Sequence, residues 1–145
     1  GILMWWFRDT QVIKRQTQEL AKVLTIAADD GKSARASRNQ NFKDLLGKNA
    51  SCSVDVKSYQ GEFTRDDLMA AHHALVHTCK ASSTSASEVA ITERNDTSAT
   101  VTAMLALSVT EKNGTHHSEN CQAALIWQKN DQGKWKLDSI IIDQP

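Results

Sequence analysis

Two β-patterned runs joined by Asn113-Gly114 constrain this chain more than any other feature of its sequence. Residues Thr100 to Glu111 read TVTAMLALSVTE, and the chain returns in a second run from His116 to Gln128. An Asn-Gly pair between such runs predicts a type I′ hairpin, because that turn needs positive φ at both central positions. We therefore expect two long antiparallel strands here.

A third strand follows the hairpin. The turn at Asn130 to Gly133 leads into Trp135 to Asp143, a run rich in β-branched and aromatic residues. Its three consecutive isoleucines at 140 to 142 put apolar side chains on both faces, since neighbouring strand residues point in opposite directions. One face belongs to the core. The other needs a second copy of the chain or the N-terminal residues Trp5 to Phe7 as a cover, or it remains an exposed patch.

The first half of the chain carries mainly helical patterns. Asp9 to Ala28 has apolar residues on one face at 3.6-residue spacing, with a capping residue at its first or second position. A second helix is expected from a cap at Ser33 to Gly47, and a third opens at Thr64, where TRDD forms a capping box. Shorter strands are predicted at Ser51 to Lys57 and at Ser87 to Glu93.

Helices gathered on one side of a curved antiparallel sheet make an α+β fold. The strand SCSVDV at 51–56, the capped helix that starts TRDDL at 64, and the closing segment ALIWQKNDQGKWKL at 124–137 resemble the nuclear transport factor 2-like (NTF2-like, SnoaL-like) superfamily. The resemblance covers residues 9–143. It implies a cone-shaped single domain, assigned to residues 9–145, whose curved antiparallel sheet carries the three helices on its concave face.

Residues 1–8 are treated as a separate N-terminal segment. Their sequence GILMWWFR places two tryptophans and an arginine after an apolar run, as at the interfacial end of a membrane-spanning segment. The run is too short to cross a bilayer, which takes about 20 apolar residues. Two interpretations stay open: the remnant of a membrane anchor, with the domain outside the cytoplasm, or packing of this segment onto the domain in a cytoplasmic protein.

The resemblance also allows a test for isomerase chemistry, which needs a carboxylate base and acidic donors that hold an enolate oxygen. It places Val56 at the position of the base, with Asp55 on the opposite face of the strand. The one tyrosine of the chain, Tyr59, falls in a turn rather than in the first helix. These features argue against an isomerase, although a shift of the alignment by one residue would restore Asp55.

In the implied cone, the third helix and the inner face of the sheet enclose a pocket. The side chains expected to line it are Asp55, Tyr59, Met69, His72, Leu105 and Trp127. Beside Asp55 or Asp138, His72 could act as a base in this pocket. The alternative, which we favour, is a histidine at the edge of the core that is hydrogen-bonded to the backbone.

Composition excludes several classes of function. Lys plus Arg and Asp plus Glu balance at 17 each, so no global positive field draws in nucleic acid. The basic residues Lys32, Arg35 and Arg38 of the second helix are interpreted as a solvated face.

Metal and redox motifs are weak as well. His73 and His77 share a helix face, but no third ligand is evident, so no metal or cofactor is assigned. The three cysteines, at 52, 79 and 121, lie too far apart in sequence for a metal or redox motif. Free thiols and a single disulfide both remain open.

The sequence therefore predicts a non-enzymatic NTF2-like module for assembly or for binding a small apolar ligand. It is expected to form a homodimer through the outer face of the sheet, to bind no nucleic acid, and to reach a membrane only through an anchor. The alternative is a SnoaL- or ketosteroid-isomerase-like enzyme that acts on a small apolar substrate with His72 and Asp55.

Overall fold

The computed structural model describes residues 2–145 as three helices and one six-stranded sheet. The helices are α1 (Ile2–Val23), α2 (Lys32–Leu45) and α3 (Arg65–Thr78), and the strands are β1 (Leu46–Val56), β2 (Tyr59–Thr64), β3 (Cys79–Arg94), β4 (Ser98–Glu111), β5 (His116–Lys129) and β6 (Trp135–Asp143). The strand order is β2-β1-β6-β5-β4-β3. The α+β class and the curved sheet with helices on one face are confirmed.

The predicted hairpin forms, but its turn is not of type I′. Gly114 has a φ of 93°, whereas Asn113 does not have a positive φ. The loop is wider: the Gly114 N–H donates to the Glu111 carbonyl at 2.9 Å, and the Asn113 carboxamide oxygen accepts from the Thr115 N–H at 2.9 Å. The Asn side chain therefore closes the loop, so its backbone does not need the left-handed conformation.

β6 lies in the middle of the sheet, between β1 and β5. It pairs antiparallel with β5 but parallel with β1, where Cys52 is opposite Ile140. The sheet is therefore not wholly antiparallel, in contrast to the expectation from sequence. The concave face accounts for Ile140, which is 8% exposed, whereas Ile141 on the outer face is 36% exposed, so the central position of β6 does not cover its outer side chains.

α1 begins seven residues before the predicted start at Asp9. The Asp9 carboxylate does not cap the helix, because it accepts a hydrogen bond from Lys129 Nζ at 2.9 Å. The Thr10 hydroxyl donates back to the Trp6 carbonyl at 2.9 Å, inside the helix. The aromatic residues Trp5 to Phe7 thus continue the helix without a break.

α1 also ends before the predicted Ala28. Beyond Val23 the chain leaves the helix, and Ile26 forms an antiparallel bridge with Ser82 in which both N–H groups donate at 2.9 Å. This bridge covers part of the free edge of β3. It also draws the Ser- and Thr-rich stretch at 81–87 into that strand, which was predicted to begin only at residue 87.

The bounds of the other helices follow backbone contacts. α2 starts after Gly31 without the predicted side-chain cap and ends at Leu45, and Gly47 lies in β1, where a Cβ would approach the Leu137 carbonyl oxygen to 3.2 Å. The capping box of α3 is confirmed, with Thr64 and Asp67 each accepting a hydrogen bond from the other's N–H.

The core lies between the helices and the concave face of the sheet. Its fully buried members include Ile13 and Val23 of α1, Val101 of β4, Trp127 of β5 and Leu137 of β6. Within residues 2–145, no helix combines the length and the apolar character needed to cross a membrane.

Arg35 is not part of a solvated basic face. Its guanidinium donates to the carbonyls of Val76 and Cys79 at 2.8 Å, to Asp30 at 2.9 Å and to Lys80 at 3.1 Å. It thereby satisfies the free carbonyls at the end of α3 and fixes the α1–α2 loop, and a planar fork of five donors suits this task.

Replacing Arg35 by alanine should lower the free energy of unfolding by about 2–4 kcal/mol, since several carbonyls lose a charged donor at once. Arg35→Lys should recover only part of this loss, because an ammonium group cannot reach all of these carbonyls. Urea unfolding of both variants, with the exposed Lys32→Ala on the same helix as control, measures the effect. Equal stability of Arg35→Ala and Lys32→Ala would contradict it.

Candidate functional site

His72 occupies the centre of the helical layer and is 3% exposed. Its Nε2 lies 2.8 Å from the Val23 carbonyl oxygen, and its Nδ1 lies 2.9 Å from the Asn39 carboxamide nitrogen. The imidazole also stacks on the Phe42 ring, with 4.4 Å between centroids. Both ring nitrogens and one ring face are therefore used inside the protein.

These partners define the state of the imidazole. The Val23 carbonyl only accepts, so Nε2 carries the proton, and Nδ1 accepts from the Asn39 amide. Burial lowers the pKa of His72 below its ordinary 6.5, and the neighbouring His73 lowers it further, against the hydrogen bond to Val23, which raises it. A neutral ring with both nitrogens engaged has no free position for moving a substrate proton.

Asp55 does not meet His72. It is exposed on β1, one residue before the buried Val56, and therefore points to the opposite face of the strand. Tyr59 is 51% exposed at the start of β2, and its ring lies 6.0 Å from that of Phe63. The structure thus places these two predicted site residues at the surface and leaves the histidine in the interior.

The other three predicted site residues pack into the core. Trp127 is fully buried, and Met69 and Leu105 are partly buried against the same cluster. The Trp127 indole nitrogen has no hydrogen-bond partner among the described residues. The six side chains do not converge on one cavity: the main clefts within residues 2–145 are lined by other residues.

One of these clefts, of about 610 Å³, runs along β1 and β2 to the start of α3 and includes Cys52. Burial raises the pKa of the Cys52 thiol to about 11, so the group stays protonated and unreactive at neutral pH. Cys79 and Cys121 are likewise buried and free. Of the two open alternatives, the structure shows free thiols.

A second cleft, of about 630 Å³, lies at the N-terminal end of α1, and sequence reasoning missed it. We call it the indole cleft; its lining residues are Trp5, Trp6, Asp9, Arg94, Asp96, Thr97 and Lys129. Nothing in the local sequence marks it, because Asp9 and Lys129 are 120 residues apart. It forms where the β3–β4 and β5–β6 ends of the sheet meet the helix.

Arg94 organises this cleft. Its guanidinium lies 3.8 Å from the centroid of the Trp6 ring and donates to the Trp6 carbonyl at 3.0 Å. The Asp9 carboxylate lies 3.7 Å from Arg94 and 2.9 Å from Lys129 Nζ. Burial alone would raise the pKa of Asp9, but the hydrogen bond and charge of Lys129, together with Arg94, outweigh it and hold that pKa below 3.8.

The histidine pair on α3 does not extend to a metal site. The His73 and His77 rings lie 4.3 Å apart at their centroids. Across residues 2–145, no group of three or more His, Cys, Asp or Glu side chains is placed to hold a metal ion.

Because burial depresses the pKa of His72, the unfolded chain binds a proton more readily at this position than the folded one. Its contribution to stability is therefore present above about pH 6.5 and is lost as the pH falls below that value. We expect the free energy of unfolding of the wild type to drop between about pH 7.5 and pH 5.5 by more than that of His72→Gln, whose amide does not titrate. Equal drops in urea titrations would contradict this account.

Comparisons with known proteins agree on the fold. Neither a family model nor a curated protein sequence matches the chain. Solved structures do match: a Novosphingobium aromaticivorans protein provisionally described as a scytalone dehydratase has a TM-score of 0.75 and 13% identity, over 97% of this chain and 86% of that one. An NTF2-like superfamily protein from Salmonella enterica has a TM-score of 0.68 and 13% identity, over 100% of this chain and 94% of that one. The association domain of CaMKII from C. elegans has a TM-score of 0.63 and 15% identity, over 93% of this chain and 95% of that one. At these identities the likeness defines architecture alone, and the chain has the nuclear transport factor 2-like fold.

Proposed function

We propose that this chain is a non-enzymatic assembly module that pairs with a second copy of itself through the outer face of its sheet. The observation that carries the proposal is the interior of the cone. There His72 is held by Val23 and Asn39 and stacked on Phe42, while Asp55 lies on the surface. A cone filled by its own side chains serves as a scaffold rather than as a reaction chamber.

The outer face offers a surface for pairing whose centre, on β1, β6, β5 and β4, is uncharged, with Glu62 of β2 and Glu93 of β3 at its borders. One row of directly opposed residues crosses it from Ser53 through Ile141 and Ala124 to Thr102. Ile141 is 36% exposed. The adjacent row is made of Ser51, Ser139, Ile126 and Thr100.

These eight residues combine aliphatic and hydroxyl side chains without a single charge, and depletion of charge is what distinguishes the centre of a protein interface. Asp55 and Asp143 stand opposite each other at one border of the face, where a polar rim is expected. The N-terminal residues do not provide the cover: Trp6 lies against Arg94 at the end of β3, and Ile141 stays accessible.

The comparisons support self-association in a general way, because one similar structure is named an association domain. Three others carry names of enzymes, but they share the architecture only, and no contact of this chain joins His72 to Asp55. We therefore propose assembly in preference to isomerase or dehydratase chemistry. Apolar-ligand binding, if it accompanies assembly, is assigned to the indole cleft rather than to the interior.

Ile141→Lys tests the proposed interface, since burying an unpaired charge in an apolar contact costs about 3–5 kcal/mol. The wild type should elute as a dimer in size-exclusion chromatography with light scattering, and Ile141→Lys should elute as a monomer at the same concentration. The matched control, Ala74→Lys, adds the same charge at an exposed position of α3 and should stay dimeric. A monomeric wild type, or a dimeric Ile141→Lys, would overturn the proposal.

A further inference from the structure

The first two turns of α1 expose four large apolar side chains, which we call the apolar tip. Leu3 is 73% exposed, Met4 64%, Trp5 67% and Phe7 62%. Such exposure is unusual, because soluble proteins rarely leave contiguous apolar groups uncovered without a partner.

The tip is held in place rather than left loose. The neighbouring Trp6 is only 38% exposed, and Arg94 stacks on its ring while donating to its carbonyl. Arg94 itself is 6% exposed and lies 3.7 Å from Asp9 of the same helix. The body of the protein therefore presents the apolar tip in a fixed orientation.

The exposed face of α1 beyond the tip is basic. Arg8, Arg15 and Lys22 recur every seven residues, so they share one line along the helix, and Lys14 lies about 100° further round it. All four are exposed, and we call them the basic stripe. Met4 lies on the same line, four residues before Arg8, and Leu3 and Phe7 lie on the line of Lys14, so tip and stripe adjoin along α1.

Acidic residues near this surface are few and partly neutralised. Asp9 is paired with Lys129 and Arg94, and the half-buried Glu19, four residues after Arg15 and three before Lys22, is the one acid within the line of cations. Asp96 lines the indole cleft, and Asp131 lies in the β5–β6 loop, which also carries Lys134. The exposed face of α1 therefore keeps an excess of positive charge.

We propose that this face of α1 binds an anionic lipid surface, with the apolar tip inserted among the acyl chains and the basic stripe on the headgroup phosphates. The geometry suits such a surface when α1 lies along it, because Met4 and the cations Arg8, Arg15 and Lys22 share one line of the helix and therefore face the same plane. Tryptophan is the side chain that favours the headgroup level, and Trp5 stands there beside the cations of the indole cleft.

A folded protein partner fits this surface less well. The four tip residues project around a single convex turn, with Trp5 on the opposite side of the helix from Leu3 and Phe7. Only a deep socket could cover them all, whereas a lipid interface closes around any convex shape. The lipid contact is independent of the outer sheet face, so either proposal can fail alone.

Vesicle sedimentation with the full chain tests the inference. Vesicles of POPC containing about a quarter of POPG should carry the wild type down, and pure POPC vesicles should carry much less. Replacing two cations, in Arg8→Gln/Arg15→Gln, should weaken binding to the anionic vesicles roughly thirtyfold at low ionic strength. Leu3→Glu/Phe7→Glu should abolish it.

Tyr59→Glu is the control, because it introduces an acid at another exposed aromatic site, 51% accessible, away from α1, and it should bind like the wild type. Trp127 and Trp135 are buried, so a blue shift of the indole emission on adding vesicles reports on Trp5 and Trp6. The inference is overturned if the wild type ignores anionic vesicles, or if Leu3→Glu/Phe7→Glu, shown by circular dichroism to be folded, still binds them.

Discussion

A single buried imidazole joins the three helices to one another. His72 reaches from α3 to the last carbonyl of α1, at Val23, and to Asn39 and Phe42 of α2. Away from water such hydrogen bonds are stronger, and the loss of a partner is costly, so the three helices are held in one arrangement. The same contacts occupy both nitrogens of the His72 imidazole, which could otherwise have acted as an acid or base inside the cone.

Because side chains fill the interior, the surfaces that we propose to contact partners lie on the outside of the molecule. Around Ile141, the centre of the outer sheet face exposes serine, threonine and aliphatic side chains without a charge. α1 exposes the apolar tip and the four cations of the basic stripe. These surfaces differ in chemistry and lie on opposite layers of the fold, since the helices cover the concave face of the sheet. A dimer formed through the sheets would therefore leave both copies of α1 accessible.

Two arginines join distant elements of the domain through several hydrogen bonds each. Arg35 satisfies carbonyls from α3 and from the α1–α2 loop, and Arg94 fastens the start of α1 to the end of β3. In both cases the guanidinium is engaged as a multiple donor to groups of the protein. The net charge of the chain is zero, but some of its cations are hydrogen-bonded within the protein and others are exposed on α1.

Sequence patterns predicted the features that depend on neighbouring residues, namely the strands, the turns between them and the start of a helix. The β4–β5–β6 meander follows from strand periodicity and turn residues, and the start of α3 follows from the Thr64–Asp67 capping box. Together they were enough to identify the cone.

The errors arose where distant contacts override local preference. Asp9 looked like a helix cap but pairs with Lys129 from the far end of the chain. Arg35 was predicted to be solvated, but it donates to carbonyls at the end of α3. The parallel pairing of β1 with β6 has no local sequence signal. His72 was recognised as an interior histidine, but its partners on two other helices could not be read from α3 alone.

The most direct test of the filled interior is the protonation state of His72, observed by long-range ¹⁵N–¹H correlation of the labelled imidazoles at neutral pH. His72→Gln identifies the resonance by its absence. The account predicts a neutral ring with the proton on Nε2, protected from exchange with water. A protonated imidazolium, an Nδ1–H tautomer or rapid solvent exchange would show that the cone is open and that the histidine is free to react.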